Sequence, residues 1–262
     1  MIVGMSARLR GIAKETVTIV DRGGYDGVRI ADEVARAVAG TRLYLPDDTL
    51  PEPSVVDGPP AIEVTGESSL AAARRLGDGV ACLNFASARN PGGGFLNGAQ
   101  AQEESLARSS ALYPCLRAAG DFYAHHRAEP SLLYSDRIIH APDVPVFRDD
   151  RGALLTEAYP VSFLVSAAPN RSALARQQPE LLPRVPEVLA RRAARVLRVA
   201  GAHGHRKLVL GAWGCGVFGN DPAMVADAFA GALSVSPWFE RVTFAVMDRR
   251  DDVRKAFRAR LC

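Results

Sequence analysis

The chain has 262 residues, 48% of them hydrophobic and 23% charged, which is typical of a globular protein. Its longest apolar runs fall well short of the roughly 20 residues that a membrane-spanning helix needs, and no signal peptide is evident. A net charge of +3 does not by itself indicate nucleic-acid binding. The four cysteines show no CxxC or Cys/His spacing, which argues against a disulfide scaffold and against a zinc site. Their number and spacing favour a reducing compartment such as the cytoplasm.

The first 60 residues are predicted to form a helical and extended arm in front of the main body of the chain. Apolar residues at helical spacing predict a helix over 5–21, and the glycines at 23–27 end it. Five prolines between 45 and 60 indicate an extended connector. We therefore expect a single domain over 1–262, in which the core follows residue 60.

Beyond residue 60, predicted strands and helices alternate. The strands are expected at 61–66, 80–86, 138–142, 161–169, 207–214 and 241–248, and the helices at 68–77, 102–116, 183–200, 221–233 and 252–261. Alternation with nearly continuous apolar strands predicts a three-layer α/β/α sandwich around a mixed or largely parallel sheet. Ligands of such sheets bind outside the carboxyl ends of the strands, so the loops that follow the strands are the candidate sites.

The first candidate loop follows the strand predicted at 80–86. It contains three consecutive glycines at 92–94, which can adopt positive φ values and let backbone N–H groups approach an anion. A Gln-Glu-Glu sequence at 102–104 begins the next helix. Acidic residues often occupy a helix N-terminus because the helix dipole favours them there. The nearby glycine triplet, however, places this carboxylate pair beside a possible phosphate site.

The second candidate loop, GAWGCGVFGN at 211–220, also lies between a strand and a helix. It lacks the Gly-Lys-Ser/Thr of a P-loop. It contains GxGxxG, but no acidic residue stands at a strand end about 20 residues later, as a dinucleotide site requires. Two glycine-rich loops suggest a ligand held from both sides, such as a diphosphate. Phe218 either stacks on a sugar or base or packs the loop onto the core.

These motifs resemble a known family. GGG at 92–94, a seven-residue spacer and QEE at 102–104 resemble the signature of poly(ADP-ribose) glycohydrolases, and GCGVFGN at 214–220 resembles their diphosphate-binding loop. IAKET at 12–16 and NFASARNPGGGF at 84–95 resemble the shorter, bacterial-type branch. The resemblance implies a macrodomain-like fold with an N-terminal helical extension, and an enzyme of the DNA damage response that releases ADP-ribose from poly(ADP-ribose), mainly at chain ends.

The resemblance also implies residue roles. Glu104 is the catalytic acid and base, Glu103 holds ribose hydroxyls at the scissile junction, and Asn90 orients the terminal ribose. Backbone amides of 211–220 bind the diphosphate, while Phe218 packs on the distal ribose. The candidate site residues are catalytic Glu104 and Glu103, with substrate-binding Asn90, Gly92, Gly93, Gly94, Gln102, Gly214, Cys215, Gly216, Val217, Phe218, Gly219 and Asn220.

The adjacent glutamates limit the possible chemistry. Neighbouring side chains leave a helix about 100° apart, so Glu103 and Glu104 are not expected to flank one anomeric carbon as acid and nucleophile. Glu104 is therefore expected to act twice, first donating a proton to the leaving 2′-oxygen and then activating water. This chemistry needs no metal and no cofactor, and we expect a monomer without a membrane partner.

Two alternative functions stay open. The chain could be an ADP-ribosyl hydrolase that acts on a modified nucleobase or protein side chain, or a non-catalytic module that binds ADP-ribose. The intact QEE weighs against the binding module. Cys215 has no obvious partner base and is interpreted as a small residue in a tightly packed loop. The histidine pairs at 125–126 and 203/205 are expected on the surface rather than at a metal.

Overall fold

A seven-stranded mixed sheet forms the centre of the structure, a computed structural model that describes residues 2–248 and 251–262. The strands are β1 (Gly24–Tyr25), β2 (Val28–Arg29), β3 (Arg42–Tyr44), β4 (Ala61–Thr65), β5 (Val80–Phe85), β6 (Ile138–Arg148), β7 (Leu154–Ser166), β8 (Lys207–Gly211) and β9 (Arg241–Ala245). The helices are α1 (Ile2–Arg22), α2 (Ala31–Gly40), α3 (Ser69–Leu76), α4 (Gln102–Ser109), α5 (Leu112–Ala118), α6 (Gly120–Ala128), α7 (Arg171–Gln177), α8 (Val185–Ala202), α9 (Pro222–Ser234) and α10 (Asp252–Leu261).

The strand order of the main sheet is β3-β6-β7-β5-β8-β9-β4. The five strands from β7 to β4 run parallel, whereas β6 pairs antiparallel with both β7 and β3. β1 and β2 form a separate antiparallel pair. All six strands predicted beyond residue 60 are present, and the mixed sheet is confirmed.

Helices cover both faces of this sheet. On β5, Ala81 and Leu83 contribute to one apolar core with residues of α8, α9 and α10. The alternate side chains, Val80 and Cys82, contribute to a second core with residues of α1, α2, α3, α5 and α6. Side chains alternate between the faces of a strand, so a strand buried on both faces must be apolar throughout. This explains the continuous apolar run of β5 and confirms the three-layer arrangement.

The N-terminal 60 residues contribute to the same sheet. The predicted first helix is present as α1, and β3 forms the sheet edge by pairing with β6, where Leu43 lies opposite Ile139. The sequence pattern does not reveal β3, which has three residues, or α2. The main sheet thus takes one strand from the segment predicted as an arm, and the assignment of the whole chain to one domain stays a prediction.

The helix predicted over 102–116 is two helices, so that prediction was wrong. Between α4 and α5, Ser110 has extended backbone angles and pairs with Val146 of β6. The N–H of Ala111 donates to the carbonyl of Pro145 at 3.0 Å. The backbone exchanges helical hydrogen bonds for bonds to the sheet at this point, which side-chain periodicity does not reveal.

Parallel pairing brings both candidate loops to one edge of the sheet. β5 and β8 are direct neighbours, with Ala81 opposite Leu208, so the loops that follow them leave the same edge side by side. The loop after β7 leaves that edge on the other side of β5. In the described residues, none of the helices combines the length and apolar character needed to cross a membrane.

Candidate active site

Gln102 fixes the first turn of α4 against the end of β5. Its Oε1 accepts a hydrogen bond from the N–H of Phe85 at 2.9 Å, and its Nε2 donates to the carbonyl of Leu83 at 2.7 Å. Nε2 also donates to Ser69 Oγ at 3.1 Å. The amide group predicted to bind substrate is therefore engaged within the protein. This geometry supports a positioning role for Gln102, which keeps the following glutamates at the sheet edge.

Glu103 lies beneath the loop surface, with 3% of the residue exposed. Its Oε2 accepts a hydrogen bond from the N–H of Ser87 at 2.6 Å, and its Oε1 accepts one from Asn84 Nδ2 at 3.3 Å. Burial raises the pKa of Glu103 to about 8, because desolvation outweighs these hydrogen bonds and the charge of Glu104 adds to it. At neutral pH this carboxyl group is therefore mainly in its protonated form.

Glu104 is half-buried and faces a cavity of about 520 Å³. Its Oε1 accepts a hydrogen bond from the N–H of Gly94 at 3.0 Å. A Cβ built on Gly93 would overlap this Oε1 and lie 3.3 Å from Oε2 of Glu103. The two side chains leave the helix in different directions, yet both carboxyl groups converge on Gly93. Of the two, Glu104 alone lines the cavity, so it is the carboxyl group that a ligand there would contact.

The glycine triplet holds these carboxyl groups. Gly92 and Gly93 have φ values of +71° and +58°, a region that strongly favours glycine. The N–H of Gly93 donates to the carbonyl of Asn90 at 3.0 Å, and that of Gly94 donates to Glu104. The N–H groups predicted to face a phosphate are thus used by the protein itself. The N–H of Gly94 thus binds the carboxyl group of Glu104 rather than a ligand.

The second loop, 211–220, is shaped by glycines at its two ends. Gly214 and Gly219 have φ values of +72° and +67°, and a Cβ at either position would overlap a neighbouring side chain, that of Asn220 or of Ser172. Asn220 is buried and its Nδ2 donates to the carbonyl of Pro169 at 2.9 Å. It therefore closes the loop from inside, rather than contributing its amide to a ligand surface.

The tip of this loop presents free backbone donors. In the part of the chain that the structure describes, the N–H groups of Gly216, Val217 and Phe218 donate to no protein acceptor. Val217 is 87% exposed, and a Cβ built on Gly216 would meet no atom within 4 Å. Successive backbone N–H groups without acceptors can form an anion site of the kind that binds phosphates. The φ of Gly216 is not positive, so what this glycine provides is open space, because it has no side chain.

Phe218 packs against an aromatic residue that the sequence interpretation missed. Its ring centroid lies 6.1 Å from that of Tyr134, and its carbonyl accepts a hydrogen bond from the N–H of Ser172 at 2.9 Å. Tyr134 has a φ of +58°, which is uncommon for a residue with a side chain. No local pattern marks Tyr134, because its partner lies far along the chain.

Asn90 and Cys215 occupy different environments. Asn90 is exposed and lines the cavity together with Glu104, and its role near the ribose stays a prediction. Burial, and to a smaller extent the charge of Asp221, raise the pKa of the Cys215 thiol to about 12. The thiol thus stays protonated, which fits its interpretation as a packing residue.

Two histidines expected on the surface are buried, so that prediction was wrong for them. The N–H of Ser135 donates to His126 Nε2 at 3.1 Å, while His126 Nδ1 lies 2.8 Å from the carbonyl of Phe122. His205 is also buried, and its Nε2 lies 3.0 Å from Nε2 of His140. Within the described residues, no group of three or more His, Cys, Asp or Glu side chains could hold a metal ion.

Comparison with known proteins places the chain in a family. A family model described as the catalytic domain of microbial-type PARG matches residues 13–149, which include the GGG and QEE motifs. The crystal structure of poly(ADP-ribose) glycohydrolase from Thermomonospora curvata is 52% identical, with a TM-score of 0.90 over 97% of this chain and 100% of that chain. The chain belongs to the microbial-type PARG family.

Other structures of microbial PARG proteins carry ligands. The T. curvata enzyme bound to the inhibitor ADP-HPD is 53% identical, with a TM-score of 0.86 over 97% of this chain and all of that chain. PARG from Deinococcus radiodurans in complex with ADP-ribose is 44% identical, with a TM-score of 0.80 over 89% of this chain and 98% of that chain. A comparison with curated proteins found no match. The PARG structures confirm the macrodomain-like fold predicted from the sequence.

Proposed function

We propose that this chain is a poly(ADP-ribose) glycohydrolase that hydrolyses ribose–ribose O-glycosidic bonds and releases ADP-ribose. The observation that carries the proposal is Glu104, a carboxyl group that faces the cavity and is held by the N–H of Gly94. Membership of the microbial PARG family, with relatives that bind ADP-ribose and ADP-HPD, supports the substrate class.

The ADP-ribose unit is proposed to span the two loops. The free N–H groups of 216–218 would bind its diphosphate, since successive backbone donors form an anion site. The adjacent loop after β5 would receive the ribose attached to this diphosphate, between Asn90 and Glu104. In this arrangement the second loop supplies backbone N–H donors, and the first loop supplies the carboxyl group of Glu104.

Glu104 would perform both proton transfers. In its protonated form it donates to the leaving 2′-oxygen while the C1″–O bond breaks, so the leaving chain departs with a hydroxyl group. Water then adds its oxygen to C1″ and gives a proton to Glu104, which restores the acid. Glu103 is largely neutral beneath the loop, so it adds little negative charge to the same glycine turn.

The same proposal includes cleavage mainly at chain ends, a monomeric state and independence of metal ions. The four cysteines are free thiols, which supports a reducing compartment such as the cytoplasm. Activity unchanged by a chelator, and an elution volume of a monomer, are the expected results. Activity lost with the chelator and restored by a divalent metal would contradict the proposed chemistry.

A substrate panel tests the function directly. The purified protein is incubated with poly(ADP-ribose), mono-ADP-ribosylated protein and ADP-ribosylated DNA, and released ADP-ribose is quantified by mass spectrometry. We expect rapid release from the polymer and much slower release from the other two. Release from DNA or protein but not from polymer would instead identify an ADP-ribosyl hydrolase. Binding of ADP-ribose without release from any substrate would identify a binding module.

A further inference from the structure

The cavity in front of Glu104 is lined by the first loop and the helices that follow it. All residues that line it come from 87–113, and none comes from 211–220. Its volume of about 520 Å³ is within the usual range for small-molecule sites, roughly 300–1,000 Å³. The proposed function places the ribose of the released unit between Asn90 and Glu104, so the part of this cavity lined by Leu96 and Tyr113 has no assigned ligand group.

One wall of this cavity is aromatic and apolar. Tyr113 lines it, and its ring packs edge-on against the buried Phe95 with centroids 4.9 Å apart, which holds the ring in place. Leu96 lines the same cavity with 45% of its surface exposed. The guanidinium of Arg117 lies 5.9 Å from the Tyr113 ring centroid and brings a positive charge to this wall. An aromatic ring beside an exposed leucine suits the flat face of a nucleobase.

The reaction itself decides which part of the substrate reaches this wall. A general acid must lie at the glycosidic oxygen, between the two riboses that this oxygen joins. If the released ADP-ribose unit lies toward 216–218, the ribose of the leaving group must lie on the opposite side of Glu104. Leu96 and Tyr113 line the same cavity as Glu104, whereas no residue of 211–220 does, so we take their wall to be that side.

We propose that Leu96 and Tyr113 form a leaving-group subsite, which binds the adenosine of the next ADP-ribose unit through its adenine. The inference rests on the proposed function and adds to it the residues that recognise the leaving group. Arg117, above the same ring, lies where its charge attracts the diphosphate that follows this adenosine in the chain.

Two substrates with different leaving groups test the subsite. One is a dimer of ADP-ribose, and the other is ADP-ribose that carries a small phenol at C1″. Tyr113→Ala and Leu96→Ser are expected to lower kcat/KM for the dimer about tenfold or more, as loss of base–aromatic stacking typically does. The kcat/KM for the phenol conjugate and the Kd for free ADP-ribose should stay within about twofold, because neither ligand carries the leaving-group adenine that the wall is proposed to bind.

Matched variants separate recognition from folding. Tyr113→Phe keeps the ring and should keep dimer cleavage, while Val235→Ser, at a valine 73% exposed after α9, controls for loss of an exposed apolar side chain. Leu96→Ser changes an exposed side chain, so it tests the wall even if Tyr113→Ala unfolds. Equal losses on both substrates, or no loss on either, would overturn the subsite. A wild-type protein that binds ADP-ribose but leaves the dimer intact would overturn the proposed function as well.

Discussion

Glu104 combines the two properties that the proposed reaction requires of one residue, access to the cavity and a fixed carboxyl group. Glu104→Gln should lower polymer turnover by about 10²–10⁴-fold, because glutamine cannot deliver a proton. Its amide oxygen can still accept the hydrogen bond from Gly94, so the loop should keep its shape. Turnover is measured on polymer, and ADP-ribose binding by calorimetry should remain near the wild-type value. Wild-type turnover in this variant would refute the assignment of Glu104.

Glu103 makes stability depend on pH. In the folded protein the pKa of Glu103 is about 8, above its ordinary value of 4.5. The stability that this carboxyl group contributes is therefore fully present below pH 4.5 and is lost as the pH rises through 8. Glu103→Gln, which mimics the protonated form, should gain stability relative to wild type by up to about 1.4 kcal/mol per pH unit in this window. Denaturant unfolding at pH 5.5 and 7.5 measures the difference. Exposed Glu157→Gln is the control, and identical pH profiles for Glu103→Gln and wild type would contradict the raised pKa.

The glycines of the second loop separate binding from folding. Gly216→Val should weaken ADP-ribose binding strongly with little loss of stability, because a side chain there enters open space beside the free N–H groups. Gly214→Ala should instead destabilise the fold by about 1–3 kcal/mol, since it combines a φ of +72° with overlap. Calorimetry and denaturant unfolding of both variants give the comparison. Unchanged binding in Gly216→Val would mean that the diphosphate binds elsewhere.

At the scale of elements, α1 supports the catalytic loop. Ala13 of α1 packs with Phe95 and Ala107 in a small buried cluster beside the glycine triplet. A Cβ on Gly98, whose φ is +78°, would overlap the carbonyl of Ser6. The helix predicted over 5–21 thus packs behind the first loop, and its close approach requires glycine at position 98.

A buried hydroxyl group joins α1 to both neighbouring elements. Thr16 Oγ1 donates to the carbonyl of Arg108 at 2.6 Å and accepts a hydrogen bond from Arg148 Nε at 3.1 Å. Thr16→Val should destabilise the protein by about 2–4 kcal/mol, because two buried polar groups lose their partner. Thr18→Val is the matched control, since its hydroxyl bonds only the carbonyl of Lys14 within the helix. Equal unfolding midpoints for the two variants would contradict this role.

At the scale of the whole molecule, parallel pairing of β5 and β8 sets the two loops side by side, where we propose that they hold one ADP-ribose unit. Phe218 of the second loop packs against Tyr134, which restrains the loop at that position. We therefore expect cleavage from the chain end and inhibition by free ADP-ribose, which makes most of the contacts of the terminal unit. Early release of single units in time-resolved product sizing supports this, whereas early mid-length oligomers would indicate a site open at both ends.

Much of the fold could be predicted because its signals are local. An apolar run such as 80–86 indicates a strand, and glycines such as those at 92–94 indicate the loop after it, whatever the rest of the chain does. These local signals predicted the three-layer sheet and both loops. The break at Ser110 could not be predicted, because its backbone bonds to β6, which lies later in the chain. The burial of His126 and His205 was missed for the same reason, since packing partners decide it.

The sequence by itself determined which residues stand at the strand ends, including Glu104 and the glycines, because motif spacing is a property of the chain. Only the tertiary structure decided what their polar groups do. The N–H of Gly93 binds the carbonyl of Asn90, that of Gly94 binds the Glu104 carboxyl group, the Gln102 amide holds β5, and the donors at 216–218 stay free. The physical reason is competition. Each donor pairs with whichever acceptor folding brings within about 3 Å, and that choice depends on segments far apart in the chain.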